Sequence, residues 1–203
     1  MDNSKILEIG RKVIKDEREV LEKLEKNLQE NFILAAKLIS ELKGRLIVTG
    51  IGKNGHIGKK MAATFASVGI PSFFVHSTEA VHGDLGMLKS EDMVIAVSNS
   101  GETQEVIILL PILKSRGIKV ISLTGKVNST LGENSDITLG LFCDREAGPF
   151  NLAPTSSSTA TLVLGDALAL TASRIKGFTK EEYALNHPGG SLGKKLRKMV
   201  KQL

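Results

Sequence analysis

Two serines, a threonine and a glycine lie between an apolar run, Met93 to Val97, and a stretch with helical spacing that begins at Gln104. The backbone N–H groups that open a helix, joined by neutral hydroxyl donors, favour an anion such as a phosphate monoester. Capping of the helix is the alternative, because Ser and Thr are common N-cap residues. One hydroxyl would suffice for a cap, so we predict that this loop binds phosphate. The loop consists of Ser98, Asn99, Ser100, Gly101, Glu102 and Thr103.

A second glycine-rich loop, from Gly50 to Gly55, follows another apolar run and has G-x-G-x-x-G spacing. That spacing is typical of dinucleotide-binding loops. A nicotinamide site would also need an acid at the end of the next strand, and the first acid there, Glu79, lies past the strand end. We therefore predict a tight loop that brings Gly52 close to a ligand, with Lys53 facing the same crevice. A solvated loop lysine is the alternative interpretation of Lys53.

Two histidines, His76 and His82, follow the second predicted strand together with Glu79 and Asp84. Side chains of this kind bind either a metal ion or sugar hydroxyls. Neither C-x-x-C nor H-E-x-x-H spacing is present. We therefore predict contact with a polyol, by His82 especially, and rank adventitious metal binding at His76 second.

Carboxylates and a further histidine complete the candidate set. Glu102 and Glu105 are predicted in the first turn of the helix after the phosphate loop, where acids also stabilise the helix N-terminus. Glu146 follows the fifth predicted strand. His187 precedes Pro188, which ends a helix and holds His187 extended; a helix stop is the alternative role. A phosphate loop, a lysine, carboxylates and a histidine suit proton transfer alpha to a carbonyl on a phosphorylated sugar.

The elements that must position these residues follow from hydrophobic periodicity. Helical spacing from Ile6 to Leu28 and from Phe32 to Leu42 predicts an N-terminal helical hairpin, with Asn31 as the cap of its second helix. Strands and helices then alternate, which predicts a mostly parallel sheet covered on both faces. The strands are predicted at 46–49, 72–76, 93–97, 119–123 and 136–142, the last nearer an edge, and the main helices at 57–68, 104–115 and 155–176.

The composition is that of a globular protein of one domain. The chain has 203 residues, 41% of them hydrophobic, and a formal charge of +5. Basic residues are scattered rather than interleaved with aromatic residues, so we expect no nucleic-acid partner. We expect no membrane partner either, because no apolar run approaches the roughly 20 residues that span a bilayer. The single cysteine, Cys143, is interpreted as a small core residue and fits a cytoplasmic location.

We predict that residues 1–203 form one domain, with N-terminal helices over 1–43, an α/β core over 44–177 and a C-terminal helical segment over 178–203. The end of that segment, from Leu192, combines helical apolar spacing with a cluster of basic residues. We expect an amphipathic helix that docks on the domain. Attraction of an anionic substrate is the alternative role for its charge.

Several stretches together resemble the sugar isomerase (SIS) domain of the arabinose-5-phosphate isomerases, and the resemblance covers essentially the whole chain. The loop at 98–103 alone would mark only the wider SIS superfamily, whereas residues 152–169 and 187–190 are more specific to this group. The matching stretches are 50–58, 79–86, 98–103, 146–170 and 187–193.

The resemblance implies a three-layer αβα sandwich that interconverts D-ribulose 5-phosphate and D-arabinose 5-phosphate through an enediolate, without a required cofactor. Arabinose 5-phosphate feeds the synthesis of Kdo, an eight-carbon acid sugar of lipopolysaccharide and some capsules. The resemblance also implies a homotetramer whose active sites lie at subunit interfaces. An isomerase of another phosphosugar, such as a hexulose 6-phosphate, and a non-catalytic phosphosugar sensor are the alternatives; a DNA-binding regulator would need a reading head that the sequence does not contain.

Roles for individual residues are also implied by the resemblance. His187 would help to open the sugar ring, from a neighbouring subunit. A glutamate, with Glu146 preferred to Glu105, would carry the proton between C1 and C2, and Lys53 would stabilise the developing charge. The implied catalytic residues are Lys53, Glu105, Glu146 and His187. The expected substrate-binding residues are Gly52, His76, His82, Ser98, Asn99, Ser100, Gly101, Glu102, Thr103 and Ser157.

Two departures from the family stand out. Many members continue into a pair of CBS domains, and the sequence up to Leu203 contains none. We therefore expect either a form without CBS domains or an excised catalytic domain. Gly148 also stands where relatives have cysteine, close to Glu146 in the sequence.

Overall fold

A computed structural model describes residues 1–189 of the chain. Its five strands form one sheet in the order β2-β1-β3-β4-β5, and every neighbouring pair is parallel. The predicted α/β class and parallel sheet are confirmed. The amphipathic helix predicted from Leu192 lies outside the described residues. The strands are β1 (Leu46–Gly50), β2 (Ser72–His76), β3 (Met93–Val97), β4 (Lys119–Thr124) and β5 (Ile137–Gly140).

Helices cover both faces of the sheet, so the molecule has three layers. One face carries α1 (Asn3–Lys26), α2 (Glu30–Ser40), α3 (Gly52–Ser67), α8 (Ser156–Lys176) and α9 (Lys180–Asn186). The other carries α4 (Ser77–Val81), a 3₁₀ turn (Asp84–Met87), α5 (Gln104–Ile107), α6 (Leu110–Ser115) and α7 (Thr130–Glu133). Within residues 1–189, no helix is both long enough and apolar enough to cross a bilayer.

Alternation along buried strands divides the core between the two faces. In β3, Ile95 packs toward α3 and α8, whereas Val94 packs toward α5 and α6. All five residues of β3 are buried, as expected for a parallel strand that is covered on both sides. The continuous apolar runs seen in the sequence are explained by this double coverage.

The N-cap of α2 and the extent of the helix after β3 differ from the sequence prediction. Gln29, rather than Asn31, is the N-cap of α2; the Asn31 amide instead donates to the carbonyl of Thr138 on β5 at 3.1 Å. The helix predicted from Gln104 to Ser115 is divided into α5 and α6. Pro111 lies in the first turn of α6, and its ring cannot be accommodated inside a continuous helix.

Helices α3 and α8 run in the same direction. Near their middles, Lys60 Nζ lies 2.5 Å from Asp166 Oδ1, and at their C-terminal ends Lys176 Nζ donates to the carbonyl of Gly69 at 3.1 Å. The two helices begin eight and ten residues before the contact at their middles, which is about 12–15 Å at 1.5 Å per residue. The first turns of α3 and α8 therefore lie at the same end of the molecule.

The chain leaves β1 and β3 toward opposite faces, through α3 and α5 respectively. The strands are neighbours in the sheet, so their carboxyl ends flank a topological switch point, which is where open α/β sheets bind ligands. A side chain at Gly50 would meet the carbonyl oxygen of Val97 at 3.1 Å. The two glycine-containing loops predicted to contact a ligand thus begin side by side.

A buried carboxylate lies at the amino ends of the central strands β1 and β3, opposite the two loops predicted to contact a ligand. Asp92 accepts hydrogen bonds from Arg45 N and Nη2, both at 2.7 Å, and from Lys89 N at 2.8 Å. Its side chain is 1% exposed, whereas that of Arg45 is 37% exposed. Burial opposes the charged form, but the bonds from Arg45 and the backbone outweigh it and lower the pKa of Asp92.

Asp92→Asn is expected to lower the free energy of unfolding at pH 7 by about 2–3 kcal/mol. This is less than breaking a fully buried pair costs, because Arg45 is partly solvated. The pKa is lower in the folded state than its unfolded value near 3.8, so the contribution is complete above about pH 5 and is lost as pH falls through the folded pKa.

Urea unfolding of the wild type and the variant at pH 7 and pH 3 tests this prediction. The difference between the two proteins should shrink at pH 3. Asp166→Asn, which removes a half-exposed pair, is the matched control and should cost about 0–1 kcal/mol. An Asp92 effect that is equally large at both pH values would contradict the role assigned to its charge.

Candidate active site

The loop after β3 is organised by its own hydroxyl groups. Ser98 Oγ lies 2.7 Å from Thr103 Oγ1 and 3.5 Å from Ser100 Oγ. Gly101 N donates to Ser98 Oγ at 3.1 Å, and Glu102 N donates to Ser100 Oγ at 3.2 Å. The three hydroxyls therefore converge on one small region at the carboxyl end of β3. Thr103, the N-cap of α5, makes no side-chain cap bond, so the hydroxyls are not used as simple caps of that helix.

Gly101 is required at the centre of this loop. Its φ of +69° is left-handed, a conformation that glycine adopts without steric cost. A side chain there would also overlap the Ser129 hydroxyl. Asn99 packs against Gly125, and its buried Oδ1 has no hydrogen-bond partner within residues 1–189. An unsatisfied buried acceptor costs free energy unless a further partner binds it, so Asn99 remains a candidate contact for the ligand.

Glu102 has a structural partner. It lies before α5 rather than in its first turn, and its Oε1 accepts a hydrogen bond from Thr130 N at 2.8 Å at the start of α7. This bond and a second one from the Thr130 side chain lower the pKa of Glu102. The short helix α7 was not predicted, so this partner could not be anticipated from the sequence. Glu105 lies in the first turn of α5, where its side chain is exposed.

The loop after β1 brings a cation to the neighbouring position. Gly52 has a φ of +57°, and α3 begins at this residue, earlier than the predicted start at Ile57. Lys53 is therefore exposed in the first helical turn rather than in the loop. It lies at the carboxyl end of β1, beside the start of the hydroxyl loop.

The histidines after β2 have separate environments. His76 Nδ1 accepts a hydrogen bond from Thr78 N at 3.3 Å and so caps α4, and its ring packs edge-on against Phe74. Because Nδ1 accepts this bond, Nε2 carries the proton of the neutral ring and can act as a donor. His82 is exposed at the end of α4. Among residues 1–189, no three His, Cys, Asp or Glu side chains are grouped in a way that could hold a metal ion, and adventitious binding at His76 stays a prediction.

Glu146 is the most firmly held of the candidate residues. Its Oε2 accepts hydrogen bonds from Thr155 N at 2.8 Å and Ser157 N at 3.1 Å, and its Oε1 accepts one from the Ser157 hydroxyl. The carboxylate thus lies at the N-terminus of α8, where the helix dipole stabilises negative charge. Each carboxylate oxygen has about two acceptor sites, so Oε1 keeps one site for a substrate.

Two residues that hold Glu146 were not identified as functional candidates from the sequence. Asn151 Oδ1 accepts a hydrogen bond from Glu146 N at 2.5 Å, and Asn151 itself has a φ of +52°. Thr155 donates its backbone N–H to the carboxylate, and its hydroxyl accepts from Ala147 N at 2.9 Å. The only signal in the sequence was the hydroxyl-rich start of α8, which directed attention to Ser157.

Cys143 lies just before this loop and packs against the larger core cluster. Burial, followed by the negative charge of Glu146, raises the pKa of its thiol to about 11. Thiolate, the reactive form, is therefore scarce at neutral pH. This supports the interpretation of Cys143 as a packing residue.

His187 lies at the opposite end of the molecule from these groups. Its ring stacks on Tyr183 with centroids 3.9 Å apart, and Nδ1 lies 2.8 Å from the Tyr183 carbonyl oxygen. The neighbouring Asn186 donates to Ser67 O, at the end of α3. Ser67 is 14 residues from Lys53 along one helix, a separation of about 21 Å. Within one subunit His187 is thus far outside the reach of a proton transfer at Lys53.

The carboxyl ends of the strands bring together the hydroxyl loop and three of the predicted catalytic residues: Lys53, Glu105 and Glu146. The topology brings Lys53 and Glu146 to the first turns of two parallel neighbouring helices. The cation, the carboxylate and the hydroxyl donors can together bind a phosphorylated molecule and move a proton on it. His187 is the one predicted catalytic residue that the described subunit does not bring to this edge.

Comparisons with known proteins show what the chain as a whole is similar to. The family model described as "SIS domain" matches residues 38–171. The chain is 52% identical over 187 residues to the protein named arabinose 5-phosphate isomerase KdsD of Shigella flexneri, and 54% identical over 183 residues to its namesake of Francisella tularensis. It covers 57% and 56% of the lengths of these relatives, and the matches cover 92% and 89% of the chain. A solved structure of an Escherichia coli chain in complex with arabinose 5-phosphate superimposes with a TM-score of 0.89 at 42% identity, over 93% of this chain and 100% of that one.

Proposed function

The chain belongs to the SIS domain family, and from that premise we propose that it is an aldose–ketose isomerase that interconverts D-ribulose 5-phosphate and D-arabinose 5-phosphate. The observation that carries the proposal is the placement of Lys53 and Glu146 at the first turns of α3 and α8, beside the hydroxyl loop. The similar relatives that bear the name arabinose 5-phosphate isomerase support this substrate pair, as does the similar E. coli chain described in complex with arabinose 5-phosphate.

Each group has a role that follows from its chemistry. Ser98, Ser100 and Thr103 hold the phosphate with neutral donors and leave its charge largely intact. Glu146 removes the proton alpha to the carbonyl through Oε1 and returns it to the neighbouring carbon. Lys53 stabilises the negative charge that develops on the enediolate oxygen. We propose that these steps need no bound cofactor.

We propose that His187 acts in the active site of a neighbouring subunit, where it helps to open the sugar ring. The separation of about 21 Å along α3 supports this assignment. A homotetramer would supply the neighbour, and apolar residues left exposed on α1 and α2 offer it a surface: Ile6, Leu7, Ile14, Ile33 and Leu34 are 44–71% exposed. Apolar side chains grouped on exposed helices are typical of subunit contacts.

The proposed cellular role is the supply of arabinose 5-phosphate for Kdo synthesis, and hence for lipopolysaccharide or capsules, in the cytoplasm. The names of the relatives support the reaction, although those proteins are longer than this chain. The role would follow from the reaction, since the product is a precursor of that acid sugar.

The purified protein should convert D-ribulose 5-phosphate to D-arabinose 5-phosphate in the presence of a chelator, as followed by NMR. Turnover that chelator does not lower would support both the reaction and the independence from metal. Binding of ribulose 5-phosphate without turnover would instead indicate a sensor module. Turnover of a hexulose 6-phosphate in a parallel assay, with ribulose 5-phosphate unchanged, would reassign the substrate.

A further inference from the structure

The segment that carries Glu146 joins β5 to α8 without regular secondary structure over residues 141–155. Its inner side is fixed by the bonds from Asn151, Thr155 and Ser157. Its outer side faces α1, and a groove of about 550 Å³ lies between them. The groove is lined by Glu146 and Arg145 of the segment and by Lys12 and Asp16 of α1. A catalytic carboxylate on an irregular segment needs bracing, because small displacements of a reacting group are costly.

Asp16 is an unusual residue for an outer helix. It is buried, with its side chain 7% exposed, although it lies in the middle of α1. Carboxylates are almost never buried unless they are paired. Asp16 Oδ1 lies 2.5 Å from Lys12 Nζ on the same helix and 3.1 Å from Arg145 Nη2 on the loop. The hydrogen bond from Lys12 is the largest of the effects that lower the pKa of Asp16.

A second ion pair joins the same two elements. Lys23 on α1 pairs with Asp144, so two consecutive loop residues, Asp144 and Arg145, are each held by α1. Asp16 and Lys23 are seven residues apart, which places them on one face of the helix, about 10 Å from each other. Two contacts at this spacing restrain both the position and the direction of the chain just before Glu146.

We propose that Asp16 and Arg145 are positioning residues for Glu146: α1 holds the loop through the Asp16–Arg145 pair, and the loop in turn aims the carboxylate. The inference rests on the proposed function for its catalytic meaning. Arg145 is 57% exposed, so breaking its pair should change the free energy of unfolding little. If the pair served only the fold, turnover would also stay unchanged. A pair that positions Glu146 lowers kcat when it is broken.

Arg145→Gln is expected to lower kcat about tenfold, with KM and melting temperature nearly unchanged, because a slightly misplaced base loses rate before it loses binding. Asp16→Asn should act in the same direction, and the double variant should lose less than the product of the single effects. Arg145→Lys should recover part of kcat, because it keeps the charge. Arg18→Gln is the matched control: Arg18 pairs with Glu22 on the exposed face of α1, and its loss should leave kcat unchanged.

Hydrogen exchange gives a second readout that does not depend on activity. The amides of Thr155 and Ser157 donate to Glu146, so they should exchange faster in Arg145→Gln than in the wild type or Arg18→Gln, in peptides that span residues 152–160. Unchanged kcat in Arg145→Gln would overturn the proposal, whether or not exchange changes. A wild type without isomerase activity would refute the proposed function, and faster exchange in Arg145→Gln would then still establish the structural brace.

Discussion

Replacing Glu146 by glutamine should lower kcat by about 10²–10⁴-fold, the usual contribution of a positioned general base. Glutamine has nearly the same shape, but its amide cannot accept the proton. The amide also offers one acceptor oxygen in place of two, so it cannot satisfy all the donors at Thr155 and Ser157. Initial rates by NMR or a coupled assay would measure the loss, and thermal unfolding would show that the variant is folded.

Glu105→Gln is the companion measurement, because Glu105 is the other candidate for the base. Its side chain is exposed on α5, so it lacks the rigid hydrogen-bonded setting of Glu146. We expect Glu105→Gln to retain more than about a tenth of the wild-type kcat, as for a residue that orients the substrate without transferring the proton. A larger loss in Glu105→Gln than in Glu146→Gln would exchange the two roles.

Mixing two inactive variants should restore activity if sites are shared between subunits. Lys53→Ala and His187→Ala each remove one catalytic group. In a randomly mixed oligomer, a site that takes Lys53 from one subunit and His187 from another has both intact in about a quarter of cases. Co-expression with two different tags and sequential purification would isolate mixed oligomers, whose specific activity should approach that fraction of the wild-type value.

The opposite result of the mixing experiment would show that each site lies within one subunit. If Lys53 and His187 served one site within a single subunit, every subunit of the mixture would lack one of them and activity would stay at the level of the separate variants. The separation of about 21 Å along α3 argues for shared sites. Mixing Lys53→Ala with Glu146→Gln is a matched control for pairs that meet within one subunit: because α3 and α8 begin side by side, that mixture should stay inactive.

The fold could be predicted because its strands are buried on both faces. Continuous apolar runs such as Met93 to Val97 are typical of central parallel strands, and the predicted bounds of this one agree with the structure. The N-cap of α2 and the short helix α7 could not be predicted, because both depend on tertiary contacts. The local sequence predicts Asn31 as a cap, but in the folded protein its side-chain amide donates to a carbonyl of β5. The short α7 is stabilised by Glu102, which lies 28 residues earlier in the chain.

The site could be predicted only in part, for a related reason. Loops at strand ends are visible as glycine and hydroxyl patterns, so Ser98 and Gly52 could be identified from spacing. The groups that hold Glu146 lie on a segment without regular structure. Asn151 has a left-handed backbone conformation, and Arg145 pairs with Asp16, which is 129 positions away in the sequence. Neither has a periodic signature. The position of His187 depends on where α9 packs, which hydrophobic spacing does not specify.

The bond from Asn31 to Thr138 also covers part of an edge strand of the sheet. β5 forms one edge of the sheet and is only four residues long, and an exposed edge can pair with strands of other molecules. The Asn31 amide occupies one of the acceptors of that edge, and the turn between α1 and α2 lies alongside it. The N-terminal hairpin thus also limits the room for a strand of another molecule to pair with β5.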